Sequence, residues 1–123
     1  MPLKTHLKEH PNVVVVSEEQ RITKTIESLY NENKVPVDFA NFANLDIQGA
    51  ELLALQGMGD RILEHLDYIY TEVNEKELYE NCALLPDLDA FLKKKGFDRR
   101  MIRMTPHGWG DALYVRKALQ KLI

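Results

Sequence analysis

The sequence predicts an α/β fold built on a mostly parallel sheet that ends in an antiparallel hairpin. Three observations carry this. Between Phe39 and Gly59 the apolar pattern changes period: residues crowd as in a buried strand before Asp46, then recur at helical spacing after Gly49. A second strand-like run, Asp67 to Val73, follows that helix, which is the order of a parallel strand–helix–strand unit. Finally, Phe97 to Met104 and Asp111 to Arg116 read as two strands joined by a loop, Thr105 to Gly110, that contains two glycines.

Taken in order, Leu3 and Leu7 share a helical face, as do His6 and His10, until Pro11 stops the helix. The β-branched run Val13 to Val16 reads as a buried strand, and Arg21 to Lys24 as a second short one. Ile26, Leu29 and Tyr30 mark a short helix with Thr25 as its cap. In the helix after Gly49, the stripe Ala50, Leu53, Ala54 and Gly57 is expected to face the core. The polar stretch Glu75 to Asn81 is expected to be helical. The best-specified helix has Pro86 in its first turn and Asp87 and Asp89 near its positive end. Leu84, Leu88, Phe91 and Leu92 form its apolar stripe, Lys93 to Lys95 lie at its negative end, and Gly96 stops it. Lys117 to Ile123 is a short amphipathic tail.

The chain of 123 residues makes a single domain, 1–123, with no internal linker or repeat. A net charge of −3 without a basic stripe argues against nucleic acid as a partner. The longest apolar run is too short to span a bilayer, and the charged amino terminus does not read as a signal peptide. One cysteine, Cys82, permits no internal disulfide and reads as a small buried hydrophobe; a cytoplasmic location is expected.

Strands of a parallel sheet present ligand sites at their carboxyl ends. Asp46 and Glu72 with Asn74 end the two predicted parallel strands, and Glu51 lies one turn into the intervening helix. Neighbouring carboxylates raise one another's pKa, which readies one as a base. The competing reading is that Asp46 and Glu51 satisfy backbone N–H groups of the Gly49 turn. Two acids and an amide are a sparse ligand set for a hard cation, and no metal is assigned. The exposed pair His6 and His10 lacks a third ligand. In the loop Thr105 to Asp111, Trp109 could stack on a flat or sugar-like ligand and His107 offers an imidazole beside it; alternatively, Trp109 caps the core and Asp111 orders the turn.

Four segments in order resemble a known family. LDIQGAELLALQG at 45–57 looks like the D-[IV]-[EQ]-G-x-E-x-x-x-L-x-G signature of the FkbM-type methyltransferases. The runs 67–74 and 77–97, and then 104–116, are similar to that family's closing strands, and 22–30 resembles its T-x-x-L-D-x-L segment with Ile26 and Glu27 in place of Leu-Asp. The resemblance spans roughly residues 20 to 117. It implies a partial Rossmann-like class I methyltransferase sheet, S-adenosylmethionine as cofactor, and methyl transfer to the hydroxyl of a small molecule or sugar. It also implies that Asp46 lies where the methyl donor meets its acceptor and that the 105–111 loop closes the substrate side. Joined to the strand-end positions, this makes Asp46 and Glu72 the expected catalytic residues and Glu51, Asn74, His107 and Trp109 the expected substrate-binding ones. All six glycines lie at or after Gly49, so no glycine-rich cofactor loop is present, and the chain is expected to correspond to the carboxyl-terminal half of that domain. A sheet of this kind exposes the edge of the strand ending at Asp46, so a homodimer, a partner chain or the Val13 to Val16 segment is expected to cover it. The alternative function is a non-catalytic methyltransferase-like binding or assembly module; a small metal-dependent hydrolase is a third.

Overall fold

A computed structural model describes residues 15–120. The elements run α1 (Ile26–Glu32), β1 (Phe42–Leu45), α2 (Glu51–Leu63), β2 (Tyr68–Asn74), α3 (Leu85–Lys94), β3 (Phe97–Met104), β4 (Trp109–Arg116) and α4 (Lys117–Gln120). The four strands form one sheet in the order β1-β2-β4-β3. Only β1 and β2 are parallel; β4 inserts beside β2 and pairs antiparallel with it and with β3. The fold is therefore α/β with a mixed sheet, not a mostly parallel one.

The reason lies upstream of α1. The strand expected at Arg21 to Lys24 is absent, and no strand forms at Val15 or Val16. Val16 is 90% exposed and Ile22 is also out in solvent, so these side chains have no neighbouring strand to pack against. Val13 and Val14, and the Leu3 to His10 helix with its histidines, lie outside the described residues, as do the last three residues of the tail. Among the described residues, β1 keeps a strand on one side only.

One face of the sheet carries the core. Leu45, Ile69, Val73, Phe97, Ala112 and Tyr114 meet Leu55, Met58, Ile62 and Leu63 of α2 and Leu88 and Leu92 of α3. Each such leucine contributes about 2 kcal/mol by leaving water. Helix α2 has the expected period but a different phase. Its buried face is Glu51, Leu55, Met58 and Ile62, whereas Leu53 of the expected stripe is 70% exposed. The cause is packing: α1 lies against α2, with the Thr25 side chain close over Gly57, so the Ala54–Gly57 side serves a helix–helix contact. Thr25 caps α1 as expected, its Oγ1 accepting from the Ser28 N–H at 3.0 Å.

Helix α3 follows its sequence signals closely. The Asp87 carboxylate accepts from the Leu84 N–H at 3.0 Å, and Gly96 ends the helix with φ of 90°. Tyr114 sits in the core and donates its hydroxyl proton to Asp89 at 2.6 Å. Burial first, and then this bond, push the Tyr114 pKa well above the ordinary range. Arg116 lies over the Phe97 ring and donates to the carbonyls of Leu63 and Leu66, satisfying the carboxyl end of α2. The segment expected as a helix at 75–81 is instead a series of turns, with Asn81 at φ of 59°. No helix among the described residues is long and apolar enough to cross a membrane.

The opposite face of the sheet lacks a covering helix. Phe42, Tyr68, Tyr70 and Met101 are exposed there, and a shallow groove runs between Tyr70, Met101, Arg103, Asp111 and Leu113.

Candidate active site

The site is built by the turn from β1 into α2. Residues Gln48 and Gly49 both take positive φ, 56° and 99°, which reverses the chain in a few residues. The Glu51 carboxylate then bends back over its own helix end, accepting from the Ile47 N–H at 2.7 Å and the Gly49 N–H at 3.0 Å. Glu51 is only 2% exposed, and Ala50 at the helix start has no side chain to do this job. The backbone-satisfying reading therefore holds for Glu51.

The turn also has to be narrow. A Cβ on Gly49 would stand 2.8 Å from the Cβ of Cys82 and 2.9 Å from that of Tyr79. Gly49→Ala combines this clash with a strained φ and is expected to cost about 3 kcal/mol, read as a fall in the urea midpoint. An unchanged midpoint would show that the 79–82 segment does not press on the turn.

β2 lies beside this turn and brings its own acid. Continuing the parallel register past Leu45↔Thr71 sets Asp46 next to Glu72. One carboxylate oxygen each from Asp46, Glu51 and Glu72 lie within 4.8 Å of one another. Glu72 is buried, and its pKa is pushed up to about 8. Desolvation is the main cause; a hydrogen bond with Asp46 and the negative charges of Glu51, Asp46 and Asp111 add to it. Near neutrality Glu72 is thus the protonated member of a carboxyl pair, and exposed Asp46 is its hydrogen-bonded partner.

Asn74 follows two residues later on the same side of β2 and is 1% exposed, with its Oδ1 lacking a hydrogen-bond partner among the described residues. Trp109 is its neighbour across the β2–β4 pairing and is 37% exposed, so it stands at the rim of the site. The strand begins at Trp109, two residues before the expected Asp111, and the connecting loop shortens to 105–108. That loop is tied to the end of β2 by the bond from the Glu75 N–H to the Gly108 carbonyl, 2.8 Å. His107 lies in the same loop, exposed, with its backbone N–H on the Thr105 hydroxyl. Its imidazole makes no hydrogen bond to the acids among those described.

Two residues belong to this site that sequence reasoning did not place in it. Tyr79 lies near all three acids, and burial followed by the charges of Glu72, Asp46 and Glu51 raise its pKa. Asp111 faces Glu72 directly across the β2–β4 register. The Leu78–Tyr79 pair in a mostly polar 75–81 run was the available signal for the first. Cys82 is buried against the turn, as expected of a small hydrophobe.

Chemically, the arrangement is a cluster of acidic groups exposed at Asp46, with an aromatic side chain nearby at Trp109. Comparison with known proteins agrees with the sequence resemblance. The family model described as methyltransferase FkbM domain matches residues 3–99. The closing segment 104–116 lies beyond that match. A solved structure similar to this chain is magnesium protoporphyrin IX methyltransferase from Synechocystis PCC 6803 with bound SAM. It shares 10% identity at a TM-score of 0.45, over 93% of this chain and 54% of that one. The chain thus spans about half the length of that enzyme. No match was found among curated proteins.

Proposed function

The chain belongs to the FkbM methyltransferase domain family, and we propose that its acid-lined sheet edge holds an acceptor hydroxyl for methylation by S-adenosylmethionine. The observation that supports this reading is the hydrogen-bonded Asp46–Glu72 pair at the carboxyl ends of the two parallel strands. Methyl transfer from a sulfonium is an in-line displacement that depends chiefly on alignment, and the acceptor oxygen must shed its proton. Asp46, the exposed member of the pair, accepts the hydrogen bond of the incoming hydroxyl. Glu72 orients Asp46 by donating to it. Glu51 keeps the turn in shape by holding two of its N–H groups. Trp109 and the adjoining groove at Tyr70 and Leu113 provide a surface for the body of a flat or sugar-like acceptor.

The methyl donor is a different matter. The described residues contain no glycine-rich turn leading into a helix that would receive the cofactor, and the gathered acids of the site disfavour the carboxylate of its methionyl part. They do not fit that part of the cofactor, so the residues of this site act on the acceptor side alone.

The test is formation of S-adenosylhomocysteine by the 123-residue chain given S-adenosylmethionine and a panel of ring-bearing alcohols. The expected result is acceptor-dependent product that Asp46→Asn cuts about 100-fold. An Asp46→Asn rate equal to that of the parent would overturn the role of Asp46. Absence of turnover together with absence of S-adenosylmethionine binding at millimolar concentration would overturn methyl transfer by this chain.

A further inference from the structure

We propose that Asp46, Glu72 and the Asn74 carboxamide oxygen, with Glu51 behind them, form a binding site for a hard divalent cation of the Mg2+ or Mn2+ type. The inference stands on these residues alone and does not depend on methyl transfer.

Spacing is the first support. Oxygens bound to a hard divalent cation lie from about 2.0 Å (Mg2+) to about 2.6 Å (Ca2+) from it, so two of them stand at most about 4.2 Å apart around the smaller ion, reached here by a small inward shift, and about 5 Å around the larger. The oxygens of Asp46, Glu51 and Glu72, all within 4.8 Å of one another, meet that limit. Charge is the second. Among the described residues none of these three carboxylates makes a salt bridge with a lysine or arginine, although exposed pairs such as Lys95–Asp60 and Arg99–Asp89 form elsewhere. Carboxyl groups gathered this closely either retain a proton, as Glu72 does, or ionise together around a compensating positive charge.

Asn74 is the independent observation. Its side chain is buried, yet its Oδ1 has no hydrogen-bond partner among the described residues. A bare buried amide oxygen costs about 1–3 kcal/mol, and the structure keeps it beside the acids, on the side of β2 that carries Glu72. Amide and carboxylate oxygens together are the ligand chemistry of Mg2+, Mn2+ and Ca2+, not of zinc, which favours nitrogen and sulfur. Glu51 already accepts two backbone hydrogen bonds, so it contributes mainly negative charge. The exposed side of Asp46 leaves room for water or a ligand oxygen to complete the shell, as Mg2+ sites commonly require.

Titration of Mn2+ into the EDTA-stripped full chain, followed by loss of the free-ion electron paramagnetic resonance signal, tests the site. One saturable Mn2+ per chain, displaced by Mg2+, is expected. Asp46→Asn, a change at an exposed position, and Asn74→Leu should each weaken binding about tenfold or more. Asn74→Asp, which keeps an oxygen at that position and adds charge, should retain or tighten it. Glu64→Gln, at the far end of α2, should leave it unchanged. Lack of saturation at millimolar Mn2+, or binding that neither Asp46→Asn nor Asn74→Leu weakens, would overturn the site. Binding lost in Asn74→Asp would remove Asn74 from the ligand set and, with it, the inference.

Discussion

Glu51→Ala is expected to destabilise the chain by about 3 kcal/mol, more than any other single change at an acid here. Its carboxylate is the acceptor for two backbone donors, the Ile47 and Gly49 N–H groups, in a turn that is closed to solvent on the side of Tyr79 and Cys82. Alanine leaves both donors without a partner at the amino end of α2, where N–H groups are already in excess. Part of the loss is offset, because removing Glu51 also removes a negative charge facing Glu72. Glu51→Gln separates the two effects: its single amide oxygen can serve one of the two donors, so it should cost about half as much. Urea unfolding of both variants checks this. Equal stability of Glu51→Ala and the parent would mean that the turn does not rely on the side chain.

The second large effect concerns pH. Glu72 has an ordinary value near 4.5 when unfolded and about 8 when folded. Between those values the unfolded chain has released the proton and the folded chain retains it, so the folded state binds more protons. Stability therefore falls as pH rises through this window and levels off above about 8. The slope is at most about 1.4 kcal/mol per pH unit for one proton. Because the Asp46 side is open to water, a total of about 2–4 kcal/mol is the reasonable range. Glu72→Gln keeps the shape and the donor to Asp46 but cannot ionise. In metal-free buffer it should flatten the profile and be the more stable chain at pH 8. A parent profile equally flat over this window would show that Glu72 ionises normally.

Much of this site was legible in the sequence because its residues sit on strong local signals. Asp46, Gly49 and Glu51 mark a strand-to-helix turn, and Glu72 and Asn74 end the next strand, so topology alone brings them to one edge. The roles were harder to read. Which carboxylate keeps a proton depends on burial, and burial follows from how the 75–84 segment folds over Gly49, a contact with no periodic pattern behind it. The phase of α2 was misread for a similar reason. Leu53 looks like a core residue by spacing, but the contact with α1 turns it outward and leaves Glu51 in its place. The apolar residues before α1 misled in the other direction: a β-branched residue joins a strand only where a partner strand lies beside it, and Val15, Val16 and Ile22 are exposed with no strand beside them among the described residues.

The most direct test of the coupled acid pair is a carbon-13 NMR titration of the side-chain carboxyl groups in metal-free buffer. The expected result is one glutamate whose midpoint lies near 8, absent in Glu72→Gln and shifted downward in Asp46→Asn. If every glutamate titrated near its ordinary value, Asp46 and Glu72 would not share a proton, and the acceptor-side role assigned to them would be contradicted.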